Sequence, residues 1–197
     1  MSSRIANLFG IIVVVALISV PVAFAARQQS EVRNFRVMKD DVLYRSGQMT
    51  LDGLKRIAHE YGIHTVISLR DKSHGGPNSA DEAEENYCNQ QEINFYRLPP
   101  RHWEAELGSE PAPVDENVKI FRTVMAEPKN YPVLVHCFAG IHRTGAYCAI
   151  YRMEQDQWSN RKAIEEIEAS GYAEIESDVL GYLERYQPSW KRATEGR

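Results

Sequence analysis

The chain is poor in the residues that build metal and redox centres. It has three cysteines, Cys88, Cys137 and Cys148, without a Cys-x-x-Cys spacing, and its six histidines form no ligand pattern. No metal and no cofactor is therefore expected. It also lacks a basic excess: 23 Lys and Arg face 27 Asp and Glu, and the net charge of −4 argues against nucleic acid as a partner. Internal repeats, heptads and low-complexity tracts are absent, which leaves an ordinary globular chain. Its 197 residues fit one domain plus a leader. Within the body only Gly75-Gly76-Pro77-Asn78 is a strong loop cluster.

What the chain does have first is a long apolar run, residues 8–26, preceded by Arg4 and interrupted by Pro21. Ala23 and Ala25 supply small residues at the positions a signal peptidase reads, so residues 1–26 read as a secretory signal peptide. The competing reading is an uncleaved membrane anchor, because the run approaches the ~20 residues that span a bilayer. Both readings export the domain, to the periplasm, the medium or the outer face of a membrane. Residues 35–187 form the domain body and residues 188–197 a C-terminal tail.

The most informative segment is Val135-His136-Cys137-Phe138-Ala139-Gly140-Ile141-His142-Arg143-Thr144-Gly145. It follows an apolar stretch, 132–135, that reads as a buried strand, and it leads into a helix over 144–157. A loop between a strand and a helix N-terminus directs backbone N–H groups and the positive end of the helix dipole inward, so an anion is expected there. A cysteine in that place ionises readily; helix N-termini and nearby cations lower a thiol pKa to roughly 3.5–7.5. Arg143 can grip two phosphate oxygens with its planar fork. Nucleophile, anion cradle and clamp together describe phosphoryl transfer to Cys137. Taken singly, Cys137 reads as an inert buried thiol and Arg143 as a solvated helix-start arginine. Their combination with His136, Gly140, Thr144 and Gly145 favours catalysis.

At these residues the chain resembles the protein tyrosine phosphatase superfamily, whose phosphate-binding loop is His-Cys, five residues, then Arg-Thr-Gly. The Gly-Ile-His-Arg-Thr-Gly ending is most similar to the compact dual-specificity and atypical dual-specificity branches. Upstream, Leu43-Tyr44-Arg45-Ser46-Gly47-Gln48 and Tyr61-Gly62-Ile63-His64-Thr65-Val66-Ile67-Ser68-Leu69-Arg70 resemble the N-terminal half of such domains in bacteria. The resemblance covers residues 35–187. It implies a phosphocysteine intermediate, with the N–H groups of Phe138, Ala139, Gly140, Ile141, His142 and Arg143 holding phosphate oxygens. It implies further that the Thr144 hydroxyl stabilises the thiolate and that His136 orients the loop. The family's general acid is an Asp on a mobile loop upstream of the cysteine. Here residues 101–110 contain no Asp. Trp103-Glu104 resembles part of the Trp-Pro-Asp loop, so Glu104, or Glu106, becomes the candidate acid, against a reading as solvated loop glutamates. Asp115 reads instead as a helix-start carboxylate.

The rest of the chain alternates strands and helices. Residues 35–37 and 42–45 read as short edge strands. Thr50 caps a helix to about Glu60, and residues 65–69 read as a buried central strand. Ser79 and Glu82 form a capping box for a helix to about Gln91, followed by a strand over 93–98. A helix over 114–126 follows, then the Pro132 strand, the loop and its helix. Ser159 and Ser177 cap two further helices. The expected fold is α/β, a mostly parallel sheet flanked by helices, with the ligand site at strand C-terminal ends.

Phe138 and Ile141 stand where relatives acting on inositol phosphates carry Lys or Arg. Apolar loop side chains suit phosphotyrosine or another aryl phosphate, while His142, Arg101 and His102 restore some positive charge at the mouth. The expected partners are a phosphorylated protein or small phosphoester, with membrane attachment through residues 8–26 open. The competing functions are a non-catalytic phospho-ligand module, an inositol (pyro)phosphate phosphatase, a rhodanese-type sulfurtransferase and an arsenate reductase. Cys88 reads first as a packed thiol and second as a resolving thiol for Cys137. Cys148 reads as core.

Overall fold

The computed structural model describes residues 12, 13, 15–21, 31–72, 79–105, 111–171 and 174–191. Five short strands form one sheet in the order β1-β2-β5-β3-β4. They are β1 (Arg36–Lys39), β2 (Leu43–Ser46), β3 (Thr65–Ser68), β4 (Asn94–Arg97) and β5 (Val133–His136). Pairings β2–β5, β5–β3 and β3–β4 are parallel, and β1 runs antiparallel at one edge. The helices are α1 (Leu51–Glu60), α2 (Ala80–Gln90), α3 (Val114–Ala126), α4 (His142–Glu154), α5 (Asn160–Ala169) and α6 (Ser177–Arg185).

Strand alternation divides the core in two. Val133 and Val135 of β5 join Leu43, Ile67 and residues of α3 to α6 on one face; Leu134 joins Tyr44, Val66, Leu54, Ile57 and Cys88 on the other. Both faces of β5 are covered, which is why it reads as an unbroken apolar run. The register aligns Ser46, His136, Ser68 and Arg97 in one row across four strands, at their C-terminal ends. By alternation that row projects toward α1 and α2.

Thr50, Ser79 and Ser159 cap α1, α2 and α5, accepting from the N–H groups of Gly53, Glu82 and Lys162. The expected Ser177 cap is not formed: Ser177 lies inside α6, and Glu176 takes the cap position without a side-chain bond. β2 is not an edge strand. It is wholly buried between β1 and β5. The helix after the Cys137 loop begins at His142, two residues before Thr144, and ends at Glu154. Gln157, with φ of 53°, cannot continue it. The Gly75-Gly76-Pro77-Asn78 cluster lies outside the described residues.

Of the leader, residues 12, 13 and 15–21 are helical, with Ile12, Val15, Leu17, Ile18 and Val20 exposed. The remaining leader residues, Ala23 and Ala25 among them, lie outside the described ones. Among the described residues no helix is long and apolar enough to cross a membrane. At the other end, the Trp190 indole N–H donates to the Met153 carbonyl, so the start of the tail packs on α4.

Candidate active site

β5 delivers Cys137 to the C-terminal edge of the sheet, and α4 starts five residues later. What shapes the loop between them is the fate of its carbonyls. The Phe138 carbonyl accepts from Gln48 N–H at 3.0 Å. The Ala139 carbonyl accepts from Asn34 Nδ2 at 2.8 Å. The Gly140 and Ile141 carbonyls accept from Arg45 Nη2 at 2.7 and 3.3 Å. Behind Cys137, His136 Nδ1 lies 3.3 Å from the Cys137 carbonyl oxygen. Four successive carbonyls, those of residues 138–141, are thus fastened by donors from outside the loop, and the Cys137 carbonyl faces the His136 ring. Across a trans peptide the N–H points opposite to the preceding C=O, so the N–H groups of residues 138–142 turn into the loop. Gly140 N–H shows this directly by donating to Cys137 Sγ at 3.2 Å.

The loop closes on β2 at a glycine pair. Gly140 has φ of 75°, and a Cβ there would sit 2.2 Å from Gly47 N. A Cβ on Gly47 would in turn sit 2.8 Å from the Ala139 carbonyl oxygen. Glycine is required on both sides of this backbone contact. No side chain caps α4, because Ile141 occupies that position. Its first N–H groups therefore remain available to an anion.

Cys137 is 3% exposed. Burial alone would push its thiol up. Hydrogen bonds from the Thr144 hydroxyl, Thr144 N–H and Gly140 N–H, with the charge of Arg143, outweigh burial and hold the thiol below its ordinary value. Thr144 Oγ1 is fully buried and has no hydrogen-bond partner among the described residues, so nothing else competes for its hydroxyl near the sulfur. Arg143 is aimed by one bond, Nη1 donating to the Leu69 carbonyl at 2.7 Å. Phe138 points outward, half exposed, between two guanidiniums: Arg33 lies 4.7 Å and Arg70 5.2 Å from its ring centroid. Arg70 is itself fixed, bidentate on Asp81 at 2.6 and 2.9 Å. His142 is exposed at the loop's far end.

The acid-candidate segment borders this site. Leu69, Pro99, Pro100, Trp103, Arg143 and Tyr147 surround a cavity of about 20 Å³. Trp103 is buried edge-on against Tyr147 of α4 and Tyr182 of α6. Glu104 follows it, exposed; Glu106 lies outside the described residues. Asp115 is in the first turn of α3 and accepts from Tyr182 Oη at 2.6 Å, a structural engagement. Arg101 pairs with Glu116 at 3.6 Å, and His102 is exposed.

A family model described as a DSP-PTPase phosphatase fused to NAD+ kinase matches residues 8–180. The chain belongs to this phosphatase family. Among curated proteins, the dual specificity protein phosphatase TpbA of Pseudomonas aeruginosa strain UCBPP-PA14 is 34% identical over 70 residues. That stretch is 34% of this chain and 32% of TpbA, so the match spans about a third of the relative's length. Among solved structures, P. aeruginosa TpbA superposes with a TM-score of 0.61 at 20% identity, covering 87% of this chain and 99% of that one. The PP-IP phosphatase SIW14 core of S. cerevisiae, bound to citrate, gives 0.61 at 19% identity, over 83% and 92%. A putative phosphatase from Shewanella putrefaciens gives 0.58 at 22%, over 80% and 93%. At these identities the structures establish a shared fold.

Against that fold, the packed reading of Cys88 holds. It lies in the core on the opposite face of the sheet from the one Cys137 joins, fully buried, and burial pushes its thiol up to about 12. A resolving thiol needs the reverse, exposure and a lowered pKa. Cys148 is also buried and is pushed up to about 11. All three thiols are free.

In the sequence Arg45, Gly47 and Gln48 stand only within the resemblance, with no task of their own, and no local signal marks Asn34, Asp81 or Glu84. Arg45 carried a usable signal. An arginine between Tyr44 and Ser46 in a strand must find acceptors if the strand is interior, and loop carbonyls are the acceptors it finds.

Proposed function

We propose that the protein is a cysteine-dependent phosphatase acting on phosphate monoesters, with aryl phosphates such as phosphotyrosine as its substrate class. The observation that carries this is the set of four outward-tied carbonyls around a buried thiol that accepts Gly140 N–H and is held below its ordinary pKa. An inward ring of N–H groups, a thiolate at its centre and a clamping arginine serve the transfer of a phosphoryl group to sulfur. The Cys137 thiolate attacks phosphorus in line, the ester oxygen leaves, and water then releases phosphate from the phosphocysteine. N–H groups and Arg143 hold the equatorial oxygens through both steps. Glu104 protonates the leaving oxygen; the burial of Trp103 beside the Arg143 cavity supports that role.

Phe138 supports the aryl preference. Its half-exposed ring at the loop rim, steadied by Arg33 and Arg70, offers an apolar edge to a substrate ring. A TpbA cysteine-to-serine variant was solved with phosphotyrosine, at a TM-score of 0.61 and 19% identity. The second reading, an inositol pyrophosphate phosphatase, draws on the likeness to SIW14, but loop cations are absent at Phe138 and Ile141.

The test is hydrolysis of para-nitrophenyl phosphate by the full chain, with reductant and chelator, beside Cys137→Ser. Chelator-insensitive turnover that vanishes in the variant supports the reading. Equal turnover in both proteins ends it. Glu104→Gln should slow phosphotyrosine more than para-nitrophenyl phosphate, whose leaving group needs no proton.

Export is part of the proposal. The apolar run of residues 8–26 and small residues Ala23 and Ala25 support a cleaved leader, and an uncleaved run would attach the domain to a membrane. N-terminal sequencing of the mature protein checks it; an intact Met1 in a cytoplasmic fraction refutes it.

A further inference from the structure

The polar row beneath the loop contains a pair that the chemistry above does not use. Glu84, on the first turns of α2, is 7% exposed and places Oε1 3.1 Å from His136 Nε2. His136 is 1% exposed, and its other ring nitrogen meets the Cys137 carbonyl. Glu84 Oε2, the Ser46 and Ser68 hydroxyls and His136 Nε2 itself make no geometrically formed hydrogen bond among the described residues, so the Glu84–His136 contact is one of charge at 3.1 Å. The carboxylate therefore spends its interaction on the imidazole. Burying an ionisable pair is costly, and here it lies directly behind the nucleophile.

We infer that Glu84 is a positioning residue for the nucleophile loop: it holds His136 as an imidazolium, so that Nδ1–H donates to the Cys137 carbonyl and the ring's charge lies beside the sulfur. A neutral imidazole has one N–H and can donate to only one of its two oxygen neighbours. Facing the ring are a carbonyl oxygen on one side and a carboxylate oxygen on the other, both acceptors. Only the doubly protonated form offers an N–H toward each. The shift of His136 agrees: burial would lower its pKa, yet Glu84, the Cys137 carbonyl and the Cys137 sulfur together raise it.

Other charged groups flank the ring. From α2, Asp81 also faces it, though its carboxylate is held bidentate by Arg70; Cys88 lies near Glu84 but stays protonated. From the sheet, Arg70 after β3 and Arg97 of β4 add positive charge near Glu84 and Asp81 and do not touch the ring. Glu84 is the one carboxylate in contact with the imidazole among the described residues.

The inference rests on Cys137 being the nucleophile of the proposed phosphatase, yet its tests need no turnover. The first is the pH dependence of iodoacetamide alkylation at Cys137 in the full chain, located by mass spectrometry. Glu84→Gln should move the alkylation midpoint up by about one pH unit, a tenfold loss of thiolate below it. Glu84→Asp should recover part of that shift. A midpoint unchanged in Glu84→Gln, with the protein folded, overturns the inference and leaves Glu84 a merely structural residue. The second uses the unaltered protein, in case Glu84→Gln does not fold. Proton–nitrogen NMR near neutral pH should show two solvent-protected ring N–H signals from one imidazole. His59, His64, His102 and His142 are exposed and exchange. A single protected ring N–H on the buried histidine overturns the inference.

Discussion

Replacing Gly140 by alanine tests the claim that packing of the loop against β2 shapes the anion cradle. Two costs arise. At φ of 75° an alanine costs about 1–2 kcal/mol in left-handed backbone. The added Cβ would also meet Gly47 N at 2.2 Å, the Ser46 carbonyl carbon at 2.4 Å and its oxygen at 2.6 Å. These are backbone atoms, so no rotamer change relieves them; the loop must retreat by about 1 Å, a displacement able to cost on the order of 10²-fold in rate. Retreat also stretches the bond from Arg45 to the Gly140 carbonyl, and a charged hydrogen bond is worth about 1.5–3 kcal/mol. Together these give about 2.5–5 kcal/mol, a fall in Tm on the order of 10 °C. Gly171 is the control. Its φ is 98°, and nothing lies within 4 Å of a Cβ there. Gly171→Ala should lose a few degrees and keep its turnover. The assay is kcat/KM on para-nitrophenyl phosphate beside thermal unfolding. Gly140→Ala with turnover within about threefold of the parent would show that the cradle does not depend on this contact.

Further expectations follow from the same contacts. Arg45→Met leaves the Gly140 carbonyl without its buried donor, while the Ile141 carbonyl keeps the Gly145 N–H at 2.8 Å, and should cost about 1.5–3 kcal/mol in urea denaturation; a loss below about 0.5 kcal/mol would refute the tether. Because the fold lowers the Cys137 thiol, kcat/KM should rise with pH and level off below the ordinary thiol value of about 8.5; a half-rise at or above that value would mean the loop does not stabilise the thiolate. Cys148 is the opposite case: its folded pKa is raised to about 11, so above about pH 8.5 the unfolded chain releases the proton first. Stability is then full below pH 8.5 and falls by up to about 1.4 kcal/mol per pH unit as pH rises toward the folded value. Cys148→Ala should flatten that fall; parallel alkaline curves for variant and parent would exclude the thiol as its source.

The nucleophile loop was legible because its chemistry is local. A thiol, glycines, an arginine and a helix start within eleven residues say most of what the structure says. The caps at Thr50, Ser79 and Ser159 were legible for the same reason, each being a side chain reaching three residues along its own chain. What failed was non-local. Arg45 reads as a polar residue of an edge strand until the loop carbonyls 95 and 96 residues away take its donors. Asp81 and Glu84 stand among the other acidic residues of α2, and nothing local marks them. They are buried, because Arg70 and His136 arrive from β3 and β5 to meet them. Ser177 matched a capping pattern, yet the helix begins there with Glu176 in the cap position, a shift of one residue that no local signal fixes.

The two acidic residues of α2 also explain why the loop has an apolar floor on one side and a charged one on the other. Strand alternation leaves that choice to whatever covers each face. On the α3–α6 face the cover is apolar, and Cys137 sinks into it to 3% exposure, which by itself would protonate the sulfur. On the α2 face the end of the sheet presents Ser46, His136 and Ser68, and α2 answers with Asp81 and Glu84, one turn apart. Asp81 fixes Arg70 beneath the outward ring of Phe138; Glu84 meets His136 behind the sulfur. The rim that would receive a substrate ring and the bed beneath the nucleophile are therefore seated on consecutive turns of one helix. A thiol buried from one side is kept ionisable from within the loop and from the other side of the sheet, which is how a cysteine that is nearly inaccessible can still be the reactive one.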